Sequence, residues 1–113
     1  MIDNDQRLQA FETIGTERGL SVGIVDVGAT IQSIRLPTPR GRIDAVLSYA
    51  QPSDYRANPY YLGSTVGPVA NRIRNVEFRL NGILYRLDAN DANRDNRLHG
   101  GTNGQHRQKF GLE

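Results

Sequence analysis

Both histidines of the chain lie in NRLHGGTNGQH (residues 96–106), a segment rich in glycine and asparagine. Imidazole is the side chain best suited to acid–base chemistry and metal binding at neutral pH. His99 and His106 are seven residues apart in a segment that favours turns, so they share no helical face. The chain has no cysteine, and Asp91 and Asp95 complete no zinc-type spacing. We therefore predict no metal site, and we interpret His106 as a solvated loop residue.

A second set of polar side chains brackets a predicted hairpin. The segment GSTVGPVANRI (residues 63–73) supplies Asn71 and Arg72, and NRLHGG (residues 96–101) supplies His99. Because a hairpin brings its two ends side by side, Arg72 and His99 come within reach of one ligand. Amide, guanidinium and imidazole groups that converge on a sheet can hold a polyhydroxylated ligand through directed hydrogen bonds. The alternative is that Arg72 forms a local salt bridge and His99 caps a loop.

The hairpin is the clearest local signal in the sequence. In VEFRLNGILYRL (residues 76–87), Asn81-Gly82 is the preferred pair for a two-residue type I′ turn. This turn sets a register that sorts side chains by face. One face pairs Leu80 with Ile83, Phe78 with Tyr85 and Val76 with Leu87, and the other pairs Glu77 with Arg86 and Arg79 with Leu84.

Shorter patterns predict the remaining elements. Leu20, Val22 and Ile24 alternate along a strand, and Val25 and Val27 then shift the phase as a β-bulge does. The other predicted elements are a turn at 37–42, a short buried strand at 43–49, a helical turn that Ser53 caps and Pro59 stops, a polar loop at 88–101, and a strand that begins within 106–113.

The composition favours one small β domain. The chain has 113 residues, and its 12 glycines and 5 prolines favour turns over bundled helices. No signal peptide is visible in this sequence, and no apolar run approaches the roughly 18 residues that a membrane span needs. Together with the absence of cysteine, this leads us to predict a cytoplasmic location and no membrane partner.

The charge balance argues against a nucleic-acid surface. All 14 basic residues except Lys109 are arginine, but 12 acidic residues reduce the net charge to +2. Arginines near Tyr60 and Tyr61 leave a nucleic-acid surface open as an alternative. Acidic side chains are interleaved with these arginines, however, and nucleic-acid binders usually have basic residues in strong excess. We therefore predict no nucleic-acid partner.

Five motifs, GATIQSIRLP, VLSY, DYRANPYYLGSTVGPVANRI, FRLNGILYRL and NRLHGG, follow one another over about residues 20–110. Together they resemble the N-terminal part of the aldose 1-epimerase (galactose mutarotase) family. The combination of ANRI and LHGG around a hairpin is fairly specific, although either motif alone is weak. One departure concerns Gly67-Pro68, because family members often have Gly-Arg there, and proline removes a backbone N–H.

The resemblance implies a fold, an activity and a site. The family's fold is a large antiparallel β-sandwich, and its members interconvert the α and β anomers of aldoses such as galactose and glucose without a metal or organic cofactor. A carboxylate takes the proton of the anomeric hydroxyl, a histidine protonates the ring oxygen, and the opened ring recloses after rotation about C1–C2. By motif match, Asn71, Arg72 and His99 bind the aldohexose. Neither His106 nor Glu113 matches the proton donor or the base, so the chain contains no catalytic residue.

We therefore expect an all-β chain that is a truncated part of a large antiparallel β-sandwich. Residues 1–18 form either a polar leader or a first edge strand, and residues 19–113 form the N-terminal portion of the sandwich. Strand edges left unpaired favour self-association. The chain then supplies sugar-binding residues to an aldose 1-epimerase and is inactive alone. The alternative from another class is a non-catalytic carbohydrate-binding β domain.

Overall fold

The computed structural model describes residues 11–92 and 94–111. Within these ranges the regular structure is β-strand apart from two short 3₁₀ helices, Pro52–Arg56 and Gln105–Arg107. The first four strands form one antiparallel sheet in the order β1-β2-β3-β4. They are β1 (Phe11–Gly15), β2 (Ser21–Val25), β3 (Thr30–Thr38) and β4 (Gly41–Asp44). The predicted all-β class is confirmed.

Residues 1–18 were predicted to be a leader or an edge strand, and part of this segment forms β1. Among the described residues strand β1 pairs with β2 alone, so it lies at an edge of the four-stranded sheet. Residues 1–10 lie outside the described residues. None of the helices in the described ranges is long and apolar enough to cross a membrane.

The β-bulge that the hydrophobic pattern predicts is present, but the prediction placed it on the wrong strand. The register moves by one residue between Gly23 and Ile24, which leaves Gln32 of β3 without a partner on β2. Strand β2 alternates without a break through Val25, so the neighbouring Ile24 and Val25 lie on opposite faces of the strand, and Val27 lies beyond it. The Gln32 amide donates to the Tyr49 carbonyl oxygen (3.1 Å), so the bulge ties β3 to the segment after β4.

Strands β6 (Glu77–Leu80) and β7 (Ile83–Arg86) form the predicted hairpin. Asn81 and Gly82 both have positive φ, at 50° and 80°, as a type I′ turn requires. The predicted register is confirmed in all four strand pairs, and the Leu87 N–H donates to the Val76 carbonyl (2.7 Å) just beyond them.

Strand β5 (Arg72–Arg74) pairs antiparallel with β8 (Asn96–Leu98) in a separate two-stranded ladder. The prediction of a polar loop over 88–101 was therefore wrong for Asn96–Leu98. Asn90 explains how so polar a segment forms a strand. Its side chain accepts from the Leu98 N–H (2.6 Å) and donates to the Leu98 carbonyl (2.9 Å), which holds β8 in place from outside the ladder.

Three further predictions need correction or adjustment. The buried strand predicted at 43–49 is wrong, because β4 ends at Asp44 and all four of its residues are exposed. The helical turn is confirmed, but the 3₁₀ helix begins at Pro52, with Gln51 rather than Ser53 preceding it as its N-cap. The strand predicted within 106–113 is reduced to one isolated bridge between Lys109 and Val27 over 106–111, and residues 112–113 lie outside the described residues.

The described residues bury few large apolar side chains. Val25 and Tyr55 are buried, at 0% and 1% exposure, whereas Leu47 and Tyr60 are each 78% exposed. The Tyr55 hydroxyl accepts a hydrogen bond from the Tyr49 N–H (3.0 Å), which satisfies its polar end. This part of the chain is therefore a sheet with an apolar surface that the described residues leave uncovered, as in one layer of a sandwich.

Candidate functional site

The β5–β8 ladder brings two of the three predicted site residues into direct contact. Asn71 immediately precedes β5 and His99 immediately follows β8, so both lie at the same end of the ladder. The His99 N–H donates to the Asn71 carbonyl (3.1 Å), and the Asn71 N–H donates to His99 Nδ1 (3.0 Å). The third, Arg72, is the first residue of β5 and pairs with Leu98.

Both residues of this contact have left-handed backbone conformations. φ is 67° at Asn71 and 51° at His99, a region that asparagine and histidine enter more readily than most residues. Because His99 Nδ1 accepts a hydrogen bond, the neutral imidazole carries its proton on Nε2. The Nε2–H is therefore the group that His99 can offer to a ligand.

Tyr61 lies between the two histidines and was not predicted as a site residue. Its ring centroid is 4.8 Å from that of His99, edge-on, and 4.9 Å from that of His106. The sequence signal was weak, because Tyr60 and Tyr61 form an adjacent pair whose members differ in burial. Tyr60 is 78% exposed, whereas Tyr61 is half-buried against the imidazoles.

His106 is buried, so its interpretation as a solvated residue was wrong. It is 6% exposed, and this burial lowers its pKa, with the neighbouring Arg107 and His99 side chains acting in the same direction. Two glycines permit the burial. A Cβ at Gly104 would lie 2.8 Å from His106 Nδ1, and a Cβ at Gly28 would lie 2.5 Å from its carbonyl oxygen.

Arg72 forms the local salt bridge that the alternative interpretation foresaw. Its Nε lies 2.6 Å from Asp91 Oδ2, and the Asn96 amide donates to the same oxygen (3.2 Å). The hydrogen bonds from Arg72 and Asn96 lower the pKa of Asp91, and the Asp91 carboxylate raises the pKa of Arg72. The Arg72 side chain is still 45% exposed, so part of its guanidinium faces solvent.

A second carboxylate fixes the turn after His99. The Thr102 N–H donates to Asp88 Oδ2 (2.6 Å), and Arg97 Nη1 lies 3.2 Å from Asp88 Oδ1. The hydrogen bonds from Thr102 lower the pKa of Asp88. A Cβ at Gly101 would lie 2.5 Å from the same carboxylate, which explains a glycine there. A carboxylate that acts as a general base at neutral pH usually has a raised pKa, so neither Asp88 nor Asp91 is suited to that role.

The titratable side chains do not form a metal site in the part of the chain that the structure describes. No group of three or more His, Cys, Asp or Glu side chains there could hold a metal ion.

Comparison with known proteins identifies the family. The sequence profile of the aldose 1-epimerase family matches residues 12–113. An aldose 1-epimerase from Haemophilus influenzae is 38% identical over 89 residues, which cover 79% of this chain and 25% of that protein. A galactose mutarotase from Sus scrofa is 41% identical over 86 residues, which cover 75% of this chain and 25% of that protein.

The fold agrees with a solved structure of the same kind. An aldose epimerase homologue from C. elegans superposes with a TM-score of 0.83 at 30% identity, over 93% of this chain and 32% of that one. The chain therefore spans about a quarter to a third of the length of these relatives. Its strands are part of a large antiparallel β-sandwich of the galactose mutarotase type, as predicted. The chain belongs to the aldose 1-epimerase family.

Proposed function

We propose that this chain supplies the sugar-binding part of an aldose 1-epimerase, which interconverts the α and β anomers of an aldohexose such as galactose or glucose. Asn71, Arg72 and His99 bind the sugar, and the proton transfers that open the ring are made by groups outside this chain. The single observation that carries the proposal is the joining of Asn71 and His99 at the end of β5 and β8, beside the half-exposed Arg72.

The three side chains suit a neutral polyol. The His99 Nε2–H and the exposed part of the Arg72 guanidinium are donors, whereas the Asn71 amide is both a donor and an acceptor. A sugar hydroxyl accepts and donates at the same atom, so this mixture satisfies adjacent hydroxyls. Asp91 holds Arg72 in one orientation and so reduces the ordering cost of binding.

The same site supports binding without catalysis by this chain alone. Asp88 and Asp91, the carboxylates beside the site, are held ionised by hydrogen bonds, and neither is free to take a proton from the anomeric hydroxyl. This observation also favours the second candidate function, a carbohydrate-binding β domain that does no chemistry. The two candidates differ in whether a longer protein that contains this chain accelerates mutarotation.

Sugar binding is tested by an NMR titration of the 113-residue chain with D-galactose, D-glucose and, as a control polyol, glycerol. We expect the ¹⁵N signals of the His99 ring and the Arg72 guanidinium to move with the aldoses and to stay in place with glycerol. Arg72→Gln should reduce the response, while Arg40→Gln, on the exposed β3–β4 turn, should preserve it. Equal movement with glycerol would contradict the proposal.

Catalysis is tested by polarimetry of fresh α-D-galactose with the purified chain. We expect the optical rotation to relax at the rate of buffer alone. Acceleration that His99→Ala abolishes would show that this chain performs the proton transfers itself. A cytoplasmic location and the absence of nucleic-acid and membrane partners stay predictions from the sequence.

A further inference from the structure

We propose that Tyr61 and His106 are positioning residues for the sugar site, which together hold the His99 imidazole in one orientation with its proton on Nε2. The inference rests on the proposed function of His99 and adds the residues that orient its side chain. It concerns side chains that do not touch the sugar themselves.

The first step is the contact between Tyr61 and His99. The two ring planes meet at 61° with centroids 4.8 Å apart, a T-shaped arrangement that aromatic rings prefer over face-to-face stacking. The Asn71 N–H fixes His99 at Nδ1, and the Tyr61 ring limits rotation of the imidazole about its χ2 angle. Because these two contacts act on the His99 ring from different directions, they restrict it to one orientation, and its Nε2–H then points in one direction.

The second step is the support behind Tyr61. The His106 ring lies 4.9 Å from the Tyr61 ring, so the Tyr61 ring is held between the two imidazoles. His106 is therefore connected to His99 through the Tyr61 ring. It is also nine-tenths buried, with no hydrogen-bond partner at Nδ1 among the described residues. A buried polar ring with one unsatisfied atom has a cost that an apolar ring would avoid, which indicates a role beyond packing.

The third step is the anchoring of the segment that carries His106. The Gln105 N–H donates to the Gly67 carbonyl (3.1 Å), four residues before Asn71. The Gly28 N–H donates to the Gln108 carbonyl (2.7 Å), on the connection between β2 and β3. The segment is thus tied to the large sheet on one side and to the chain that leads into the site on the other. A rigid support of this kind is what precise placement of a binding group requires.

The test compares His99 ring signals by ¹⁵N NMR in the 113-residue chain and four variants. Tyr61→Phe keeps the ring, Tyr61→Leu removes it, and His106→Ala removes the support. Val25→Ala, a fully buried position on β2, is a destabilised control. We expect Tyr61→Phe and Val25→Ala to keep the Nε2–H tautomer. In Tyr61→Leu and His106→Ala we expect the ratio of the Nε2–H to the Nδ1–H tautomer of His99 to fall about two- to tenfold. We expect the affinity for D-galactose to fall by a similar factor, which corresponds to the free energy of about one hydrogen bond.

Each outcome decides one proposal. If Tyr61→Leu keeps the wild-type tautomer ratio, the positioning role is refuted, whatever happens to His106→Ala. If Val25→Ala lowers the ratio as much as Tyr61→Leu, the effect is general loss of stability and the positioning role is again refuted. If D-galactose moves no His99 signal in the wild-type chain, the proposed function fails, and the tautomer comparison still decides the positioning role because it needs no sugar.

Discussion

Asn71 and His99, which are 28 residues apart in sequence, are joined by two hydrogen bonds of opposite direction. One uses the His99 main chain and the other its Nδ1, so the same residue both closes the β5–β8 ladder and presents a ring N–H. His99 therefore has both a structural role and a proposed binding role, and a suitable substitution at this position can remove the binding role while it keeps the structural one.

Asparagine is the substitution that separates them. In His99→Asn, Oδ1 occupies a position close to that of Nδ1, and asparagine tolerates the φ of 51°. We expect His99→Asn to keep the free energy of unfolding within about 0.5 kcal/mol and His99→Ala to lower it by about 1 kcal/mol, the usual cost of a lost cap. Urea titrations measure both. Neither variant has Nε2, so both should lose the response to galactose, and a response retained in His99→Asn would contradict a sugar contact at Nε2.

Because of its salt bridge with Arg72, the Asp91 carboxylate should stay ionised to a lower pH than an ordinary aspartate. The hydrogen bond from Arg72, followed by that from Asn96, lowers the pKa of Asp91. Because the folded pKa is depressed, the stabilisation is complete above the unfolded value of about 3.9 and is lost as the pH falls through the folded pKa. The ¹³C shift of the Asp91 carboxyl should therefore titrate below about pH 3.9. Arg72→Gln should move the midpoint upward, and Arg74→Gln, on the same strand, should leave it in place.

The hairpin was predictable because all its information is local. Asn81 and Gly82 dictate the turn, the turn dictates the register, and the register places the residues before β6 and after β7 at one end. Arg72 and His99 could be brought into one neighbourhood from that register alone. Nothing in the residue types of β8 identifies it as a strand, because it is held by the side chain of Asn90 and by pairing with β5.

Burial was the part that the sequence could not predict. His106 and Tyr61 are polar or amphipathic, and their burial depends on the close approach of Gly28 and Gly104 from elsewhere in the chain. Conversely, Ile43 is apolar but 52% exposed, because no second layer covers β4 among the described residues. A hydrophobic pattern depends only on the residue types along one segment, whereas burial also depends on which other segments of the fold pack against it.

Two glycines with similar φ should differ sharply on substitution. Gly82 has φ of 80° and nothing within 4 Å of an added Cβ, whereas Gly63 has φ of 62° and an added Cβ that would overlap the Ile31 carbonyl oxygen. We expect Gly82→Ala to lower the free energy of unfolding by about 1 kcal/mol from backbone conformation alone. Gly63→Ala should lower it by about 3 kcal/mol or more, because overpacking is added. Thermal and urea unfolding measure the difference, and equal losses would contradict this packing of Gly63 against β3.

His106 should make stability depend on pH in the near-neutral range. Burial lowers its pKa, and the neighbouring Arg107 and His99 side chains act in the same direction. Below about pH 6.5 the His106 imidazole therefore binds a proton more readily in the unfolded chain than in the folded one. The contribution of His106 to the free energy of unfolding should be constant above this pH and should fall below it. Melting temperatures between pH 7.5 and 5 measure the slope. His106→Phe should flatten the slope, whereas Val25→Ala should melt lower with the slope unchanged; a slope retained in His106→Phe would assign it to another group.

The hairpin is the surface through which we expect copies of the chain to associate. Phe78 and Tyr85 stack with centroids 5.0 Å apart, yet they are 40% and 41% exposed, and Leu80 and Ile83 beside them are 56% and 57% exposed. Among the residues that the structure describes, strands β6 and β7 pair only with each other, so each also has an edge without a partner strand there. A second copy offers the same apolar face and the same edges, which makes the contact self-complementary.

Charge on that face should prevent the association. We expect the wild-type chain to exceed its monomer mass of 12.6 kDa increasingly with concentration in light scattering after gel filtration. Ile83→Lys should return it to the monomer, because a lysine buried in the contact would lose its hydration. Leu47→Lys adds the same charge at a side chain that is 78% exposed outside the hairpin, and it should leave association unchanged. A wild-type chain that stays monomeric at every concentration, or equal effects of the two lysines, would exclude the hairpin face as the contact.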